Sequence, residues 1–323
     1  MFEKKIAPLL LLTFVACDQR QQQPVPQQQM KSLEPLVVAP VFDAQQAYRF
    51  LTSQTDFGPR NPGSQGYRKC LRFLQDEMAK YAEIVFLQEF THTNFKGETL
   101  KYANIISQFN RDAIVRVLLT AHWDTRPWAD NDSDPSNHEK PILGANDGAS
   151  GVAVLLEIAR QMKRNAPPIG VDIVLFDCED VGRHGDQRSY AVGSQHFAKN
   201  RPKELNPRFA VNLDMVGDKN LTIPREQNSD RYAPTIMDLI YSTAKELGVS
   251  EFVNGVGEEI FDDHVPLNEA GIPAVDLIDF NYPDNSNRFW HSLEDTPDKC
   301  SPQSLEAVGK VLLSILYKKQ ITY

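Results

Sequence analysis

Val171–Gly182 reads Val-Asp-Ile-Val-Leu-Phe-Asp-Cys-Glu-Asp-Val-Gly, and the fold is decided here. The apolar run Ile173–Phe176 stops abruptly at Asp177, Cys178, Glu179 and Asp180. A short apolar run without alternation is the pattern of a strand buried on both faces of a parallel sheet. In open α/β sheets, ligands and chemistry collect outside the carboxyl ends of the strands. Two adjacent acids at such a place are costly unless a cation or a proton compensates them. The stretch therefore predicts a metal held by Asp180 and proton transfer by Glu179.

Working outward, helical and strand patterns alternate. Asp43–Thr52 and Tyr67–Tyr81 have helical spacing, separated by the turn-rich Phe57–Gly66. Glu83–Thr91, Leu100–Phe109 and Ala113–Ala121 are strand candidates, the last ending at His122-Trp123-Asp124. The polar loop Arg126–Pro141 is long for a simple connection, and long structured loops are often functional. Gly144–Gly151 leads through Asp147 into a helix over Val152–Met162. Beyond the opening strand, Ser189–Lys199 and Tyr232–Leu247 read as helices, and Phe209–Val216 as a strand passing Asp214. A short helix starts near Asp262-Asp263-His264 and closes at Gly271, followed by a strand Ala274–Ile278 carrying Asp276. Ser301 caps a final helix to Tyr317, with Pro302 at its first position. This order predicts one α/β domain over 36–323, with a mixed, mostly parallel central sheet and helices on both faces.

The N-terminus reads differently. Lys4 and Lys5 precede the apolar stretch Ile6–Val15, which is too short to span a bilayer and has the layout of an export signal. Its end, Val15-Ala16-Cys17, resembles a bacterial lipoprotein signal, which implies a segment 1–17 that ends at a lipidated Cys17. Residues 18–35 are rich in Gln, with Pro24 and Pro26, and are expected to form a disordered tether. An exported, lipid-anchored protein of the bacterial cell envelope follows, and a long tether suits a monomer. The three other cysteines show no framework spacing: Cys178 is expected to pack, and a Cys70–Cys300 bridge is a minor alternative. The net charge of −9, without a basic stripe, excludes nucleic acid as a partner.

Five sites gather at one predicted sheet edge: His122/Asp124, Asp147, Glu179/Asp180, Asp214 and His291. Any one acid alone reads as a cap or a turn residue; five sites of one chemical type suit zinc, which takes His nitrogen and carboxylate oxygen and keeps a position open in catalysis. The order H-x-D, G-A-x-D-x-A-S-G, an acidic pair after a strand, N-x-D and a late His resembles the zinc aminopeptidase superfamily. Asp262-Asp263-His264-Val265-Pro266, Gly271-Ile272-Pro273 and Trp290-His291 are similar to its glutaminyl-peptide cyclotransferases, especially their bacterial lipoprotein branch. The resemblance implies an acyltransferase with one zinc held by Asp147, Asp180 and His291. It also implies Glu179 as proton shuttle, Asp214 and Asp262 as a supporting hydrogen-bonded acidic pair, and Trp290 lining the substrate pocket. The family commonly has Glu where this chain has Asp180, whose reach is shorter by a methylene.

The implied reaction starts from a peptide or protein with an N-terminal Gln. Its α-amine attacks its own side-chain amide, releasing ammonia and forming pyroglutamate, so no activated water is needed. Zinc would polarise the amide and Glu179 would carry the proton, with an aromatic wall holding the side chain folded back. Trp123 and Trp128 are weaker candidates for that wall, equally suited to packing. His122 leaves the metal count open, because in two-metal aminopeptidases the matching His holds a second ion. A two-zinc aminopeptidase is the runner-up; a binding protein without catalysis is a third reading. His92, His138, His184 and His196 are read as surface or loop residues. His264 and Asp276 carry no assigned role.

Overall fold

The computed structural model describes residues 1–2 and 38–318. Apart from Met1 and Phe2, the expected signal segment 1–17 and tether 18–35, Cys17 included, lie outside the described residues. The fold occupies a unit covering 37–323. Among the described residues, no helix is long and apolar enough to cross a membrane.

Caps set the first elements. The Asp43 carboxylate accepts from Gln46 N and starts α1 (Ala44–Thr55); Ser64 Oγ accepts from Tyr67 N and starts α2 (Gln65–Tyr81). The antiparallel pair β1 (Ile84–Thr93) and β2 (Thr99–Phe109) turns at Asn94, whose side chain accepts from Lys96 N and Glu98 N. Next come β3 (Arg116–His122), α3 (Ala149–Arg164), β4 (Gly170–Phe176), α4 (Val192–Lys199) and β5 (Ala210–Asp214). The chain continues through β6 (Ile223–Arg225), α5 (Gln227–Tyr232), α6 (Pro234–Leu247), β7 (Phe252–Val256), α7 (His264–Glu269), β8 (Ala274–Ile278) and α8 (Pro302–Leu316).

The main sheet has the order β1-β2-β4-β3-β5-β8. Its β4, β3, β5 and β8 run parallel, while β2 joins β4 antiparallel. The expectation of a mixed, mostly parallel sheet with helices on both faces is met. Every residue of β3 and β4 is buried, which is why the opening stretch does not alternate. A large core cluster joins one sheet face to α1, α3 and α8, and a smaller one centres on Ile106, Leu118, Val174 and Phe197. Each large side chain so buried contributes about 1.5–3 kcal/mol. Gly151 allows the close approach of α3 to the sheet, because a Cβ there would sit 2.3 Å from Leu213 O. That contact sets the start of α3, and with it Asp147, beside the end of β5.

Some boundaries differ from expectation. β3 starts at Arg116 rather than Ala113, because residues 110–113 close a turn and Arg116 forks onto both oxygens of Asp172. The helix expected over Tyr232–Leu247 starts at Pro234, and a separate short helix, α5, ends just before it at Tyr232. The two-stranded parallel ribbon β6–β7 has no counterpart in the sequence reading; Pro224 argues against a strand, and β7 is exposed beyond Phe252.

Glu226 joins this ribbon to the segment that leads into α7. Its carboxylate accepts from Asn228 N, Ser229 N, Ser229 Oγ and Ile260 N, and lies 3.2 Å from His264 Nε2. Burial pushes its pKa up, but the His264 contact and the other hydrogen bonds prevail and bring it to about 2. A depressed carboxylate stabilises the fold above its ordinary value of 4.5 and loses that contribution as pH falls toward 2. Glu226→Gln should therefore cost up to about 3 kcal/mol at neutral pH, with the gap to the parent closing between those two pH values in denaturant titrations. A gap constant across that range would remove Glu226 as the titrating group.

Candidate active site

The carboxyl ends of β3, β4 and β5 deliver His122, Asp177–Asp180 and Asp214 to one edge, and loops bring Asp147 and His291 to it. Two groups of ligand atoms, each within 4.8 Å of one another, share Asp147: Asp147, Asp180 and His291, and His122, Asp147 and Asp214. In the first, His291 Nε2 lies 3.0 Å from Asp180 Oδ1 and 3.6 Å from Asp147 Oδ2. In the second, His122 Nε2 lies 3.1 Å from Asp214 Oδ1 and 3.2 Å from Asp147 Oδ1, and Nδ1 is 3.5 Å from Asp124 Oδ1. All five sites predicted from sequence thus converge.

The acids have distinct supports. Asp124 accepts from the N–H groups of Glu179 and Asp180 at 3.2 and 3.3 Å, fixing the turn after β4. Asp177 accepts from Tyr67 Oη, Ala103 N and Cys178 N, so the acid nearest β4 is structural. Cys178 is buried and, like Met215 and His291, adopts a left-handed φ. Strain of this sort is found where a fold over-determines a functional site. Asp295, without a signal in the sequence beyond its nearness to His291, accepts from Asn146 N, Asp147 N and Tyr282 Oη and thereby orients Asp147.

Charge is unbalanced. Burial pushes Asp180 up to about 8, against the opposing Arg126, and holds Glu179 well above the carboxylate range, with Asp180 and Asp262 adding to the rise. His122 is burdened by burial but held well above its ordinary value by Asp214 and its neighbours; burial and Arg126 push His291 well below. Asp147 Oδ2 and Asp180 Oδ2 are buried acceptors without a hydrogen-bond partner. Two carboxylates with orphaned oxygens beside an imidazole nitrogen are a donor set for zinc, and the residues fit that ion.

Glu179, Asp180 and His291 line a cavity of about 320 Å³, with Tyr190, Phe280 and Trp290 in its wall. Trp290 stacks on His291 with centroids 3.7 Å apart and meets Phe280 edge-on. The weaker tryptophan candidates are elsewhere: Trp123 is fully buried against Tyr67, and Trp128 packs with Phe95 and Lys96 at another cavity. The expected Asp214–Asp262 hydrogen bond is not formed, because each acid is taken by another partner: Asp214 has His122, and Asp262 accepts from Asn212 Nδ2 at 3.0 Å, the same amide reaching Asp276 Oδ1 at 3.1 Å. Asp276 and His264 thus form a buried polar layer behind Asp262. His184 stands exposed on the cavity rim. Cys70, Cys178 and Cys300 are all free, so no bridge joins Cys70 to Cys300.

Residues 104–316 match the model of peptidase family M28. A solved glutaminyl cyclase from Tannerella forsythia is 39% identical, with a TM-score of 0.83 over 87% of this chain and 100% of that one. A leucine aminopeptidase precursor from Bacteroides thetaiotaomicron is 38% identical, with a TM-score of 0.84 over 88% of this chain and 99% of that one. The glutaminyl-peptide cyclotransferase of Bos taurus is 25% identical over 65% of this chain, which spans 64% of the bovine protein's length.

Proposed function

The chain belongs to peptidase family M28, and from that membership we propose that it is a zinc-dependent glutaminyl-peptide cyclotransferase acting on peptides or proteins with an N-terminal Gln. One observation carries the reading. The acid Glu179, left outside the ligand group of Asp147, Asp180 and His291, faces the same cavity as the aromatic wall of Trp290 and Phe280. Its volume of about 320 Å³ is enough to take a folded Gln side chain.

In this reading Asp147, Asp180 and His291 hold a single zinc, which would polarise the substrate's amide oxygen and stabilise the charge developing on it. Trp290 presses the Gln side chain back toward its own α-amine. Glu179 takes a proton from the amine as its nitrogen bonds to the amide carbon, then gives it to the departing nitrogen. One C–N bond forms, one breaks, ammonia leaves, and water is not consumed. Burial, with Asp180 and Asp262 adding to it, holds the Glu179 carboxyl well above the usual range, as a proton carrier requires. His122, enclosed by Asp124, Asp147 and Asp214, serves as their internal counter-charge. Release of ammonia from a Gln-initiated peptide, with none from the Asn-initiated analogue, is the first test.

The shared Asp147 and the second group with His122 and Asp214 favour a two-zinc aminopeptidase as the second reading. A metal content near two per chain, together with cleavage of unblocked peptides, would select it. We further propose export through 1–17 and anchoring by a lipidated Cys17 in the cell envelope. Cys17→Ala should move the protein from the membrane fraction to the soluble one; retention in the membrane would end that reading.

A further inference from the structure

We propose that Arg126 and Asp130 are a positioning pair that holds the metal ligands Asp180 and His291 at a fixed separation. The inference rests on the reading of those two residues as ligands.

Arg126 is buried at the start of the long polar loop, and its guanidinium is fully engaged. Nε and Nη2 donate to the two oxygens of Asp130 at 2.6 and 2.5 Å. Nη1 donates to the main-chain oxygens of Asp180 and Gly182 at 3.1 and 3.2 Å and lies 3.5 Å from Asp180 Oδ1. A planar fork can hold a carboxylate on one side and a second residue's main chain on the other; a lysine ammonium cannot.

Asp130 faces the other ligand. Its Oδ1, the oxygen that takes Arg126 Nε, stands 3.7 Å from His291 Nδ1. The opposite ring nitrogen, Nε2, points to Asp180 and Asp147. A ligating imidazole ordinarily presents its other N–H to a carboxylate, which sets the tautomer and the ring plane. His291 also needs support for its left-handed φ of +53°. The same loop supplies it: Asn131 N donates to His291 O, Asn131 Nδ2 to Trp290 O, and Leu293 N to Asp132 Oδ2, at 3.1, 3.1 and 2.9 Å. The loop therefore grips residues 290–293 through the main chain and sets the Asp130 carboxylate facing the ring edge of His291 at 3.7 Å, while Arg126 grips Asp180. An exposed Arg–Asp pair four residues apart would contribute little; this one joins two ligands that lie far apart in sequence.

The test is zinc affinity of the intact protein, read by competition with a chromophoric chelator, with the visible spectrum of the cobalt-substituted form alongside. Asp130→Asn and Arg126→Lys should each weaken zinc binding about 10–100-fold and shift the cobalt bands, with affinities compared at a temperature where each metal-free variant is folded. Parent-like affinity and spectrum in both variants would overturn the proposal. His291→Ala, run in parallel, separates the two levels. If it too binds zinc like the parent, the ligand reading has failed; if it loses zinc while Asp130→Asn keeps it, only the pair's role has failed. Should a variant not fold, the parent labelled with 15N-histidine still decides: a His291 ring unprotonated at Nδ1 in the zinc form contradicts the pair.

Discussion

Glu179→Gln should lower kcat for pyroglutamate formation by about 10²–10⁴-fold, the range general acid–base groups supply, while zinc content and KM stay at parent values. The substitution keeps the shape of the side chain and removes only its capacity to take a proton. In barrier terms the loss is about 3–5 kcal/mol. Zinc should remain because Glu179 lies outside the group formed by Asp147, Asp180 and His291, and because its main-chain N–H, which is anchored on Asp124, is untouched. Steady-state kinetics with metal analysis on the same preparation checks both halves. A kcat within tenfold of the parent would remove Glu179 as proton carrier; loss of zinc would make it a ligand.

The second large effect is on the metal itself. Asp147→Ala and His291→Ala should each reduce zinc affinity more than about 100-fold, beyond what groups behind the ligands supply, and abolish turnover at ordinary zinc concentrations. His122→Gln separates one ion from two. If His122 is a counter-charge for Asp214 and Asp147, this variant keeps close to one zinc per chain. If it holds a second ion, the parent carries two and the variant loses one. Asp147 touches both groups through different oxygens, Oδ1 toward His122 and Oδ2 toward His291, so its removal does not discriminate and serves as the reference for complete loss.

What the sequence revealed, and what it hid, follows from the range of the interactions involved. β4 was legible because burial on both faces leaves an unbroken apolar run, and its end pointed to Glu179 and Asp180, which line the cavity. Asp147 and Asp214 were legible for a similar reason, lying next to a glycine-rich helix start and a buried strand. The helix break at Ala233 is local and could have been read from Pro234. By contrast, Asp295 and Asp130 act on residues brought near by loops, and no periodicity marks them. Arg126 looked like the first residue of a polar loop; only its fork onto Asp130 and the main chain of Asp180 reveals a role. Asp177 shows the opposite error of scale. It adjoins the site residues in sequence, yet Tyr67 and two N–H groups consume its carboxylate. The ribbon β6–β7 was hidden because a proline and an exposed strand carry the wrong local signals, although Glu226 beside it ties in place Ile260, which lines the same cavity as Trp290.

The central claim is tested most directly by a product balance. Zinc-replete protein is incubated with a peptide beginning Gln, and ammonia, pyroglutamyl peptide and free amino acids are quantified from one reaction. The account predicts equal amounts of ammonia and pyroglutamyl peptide with no free glutamine. Free glutamine and a peptide shortened by one residue, without pyroglutamate, would contradict it and leave the chain an aminopeptidase.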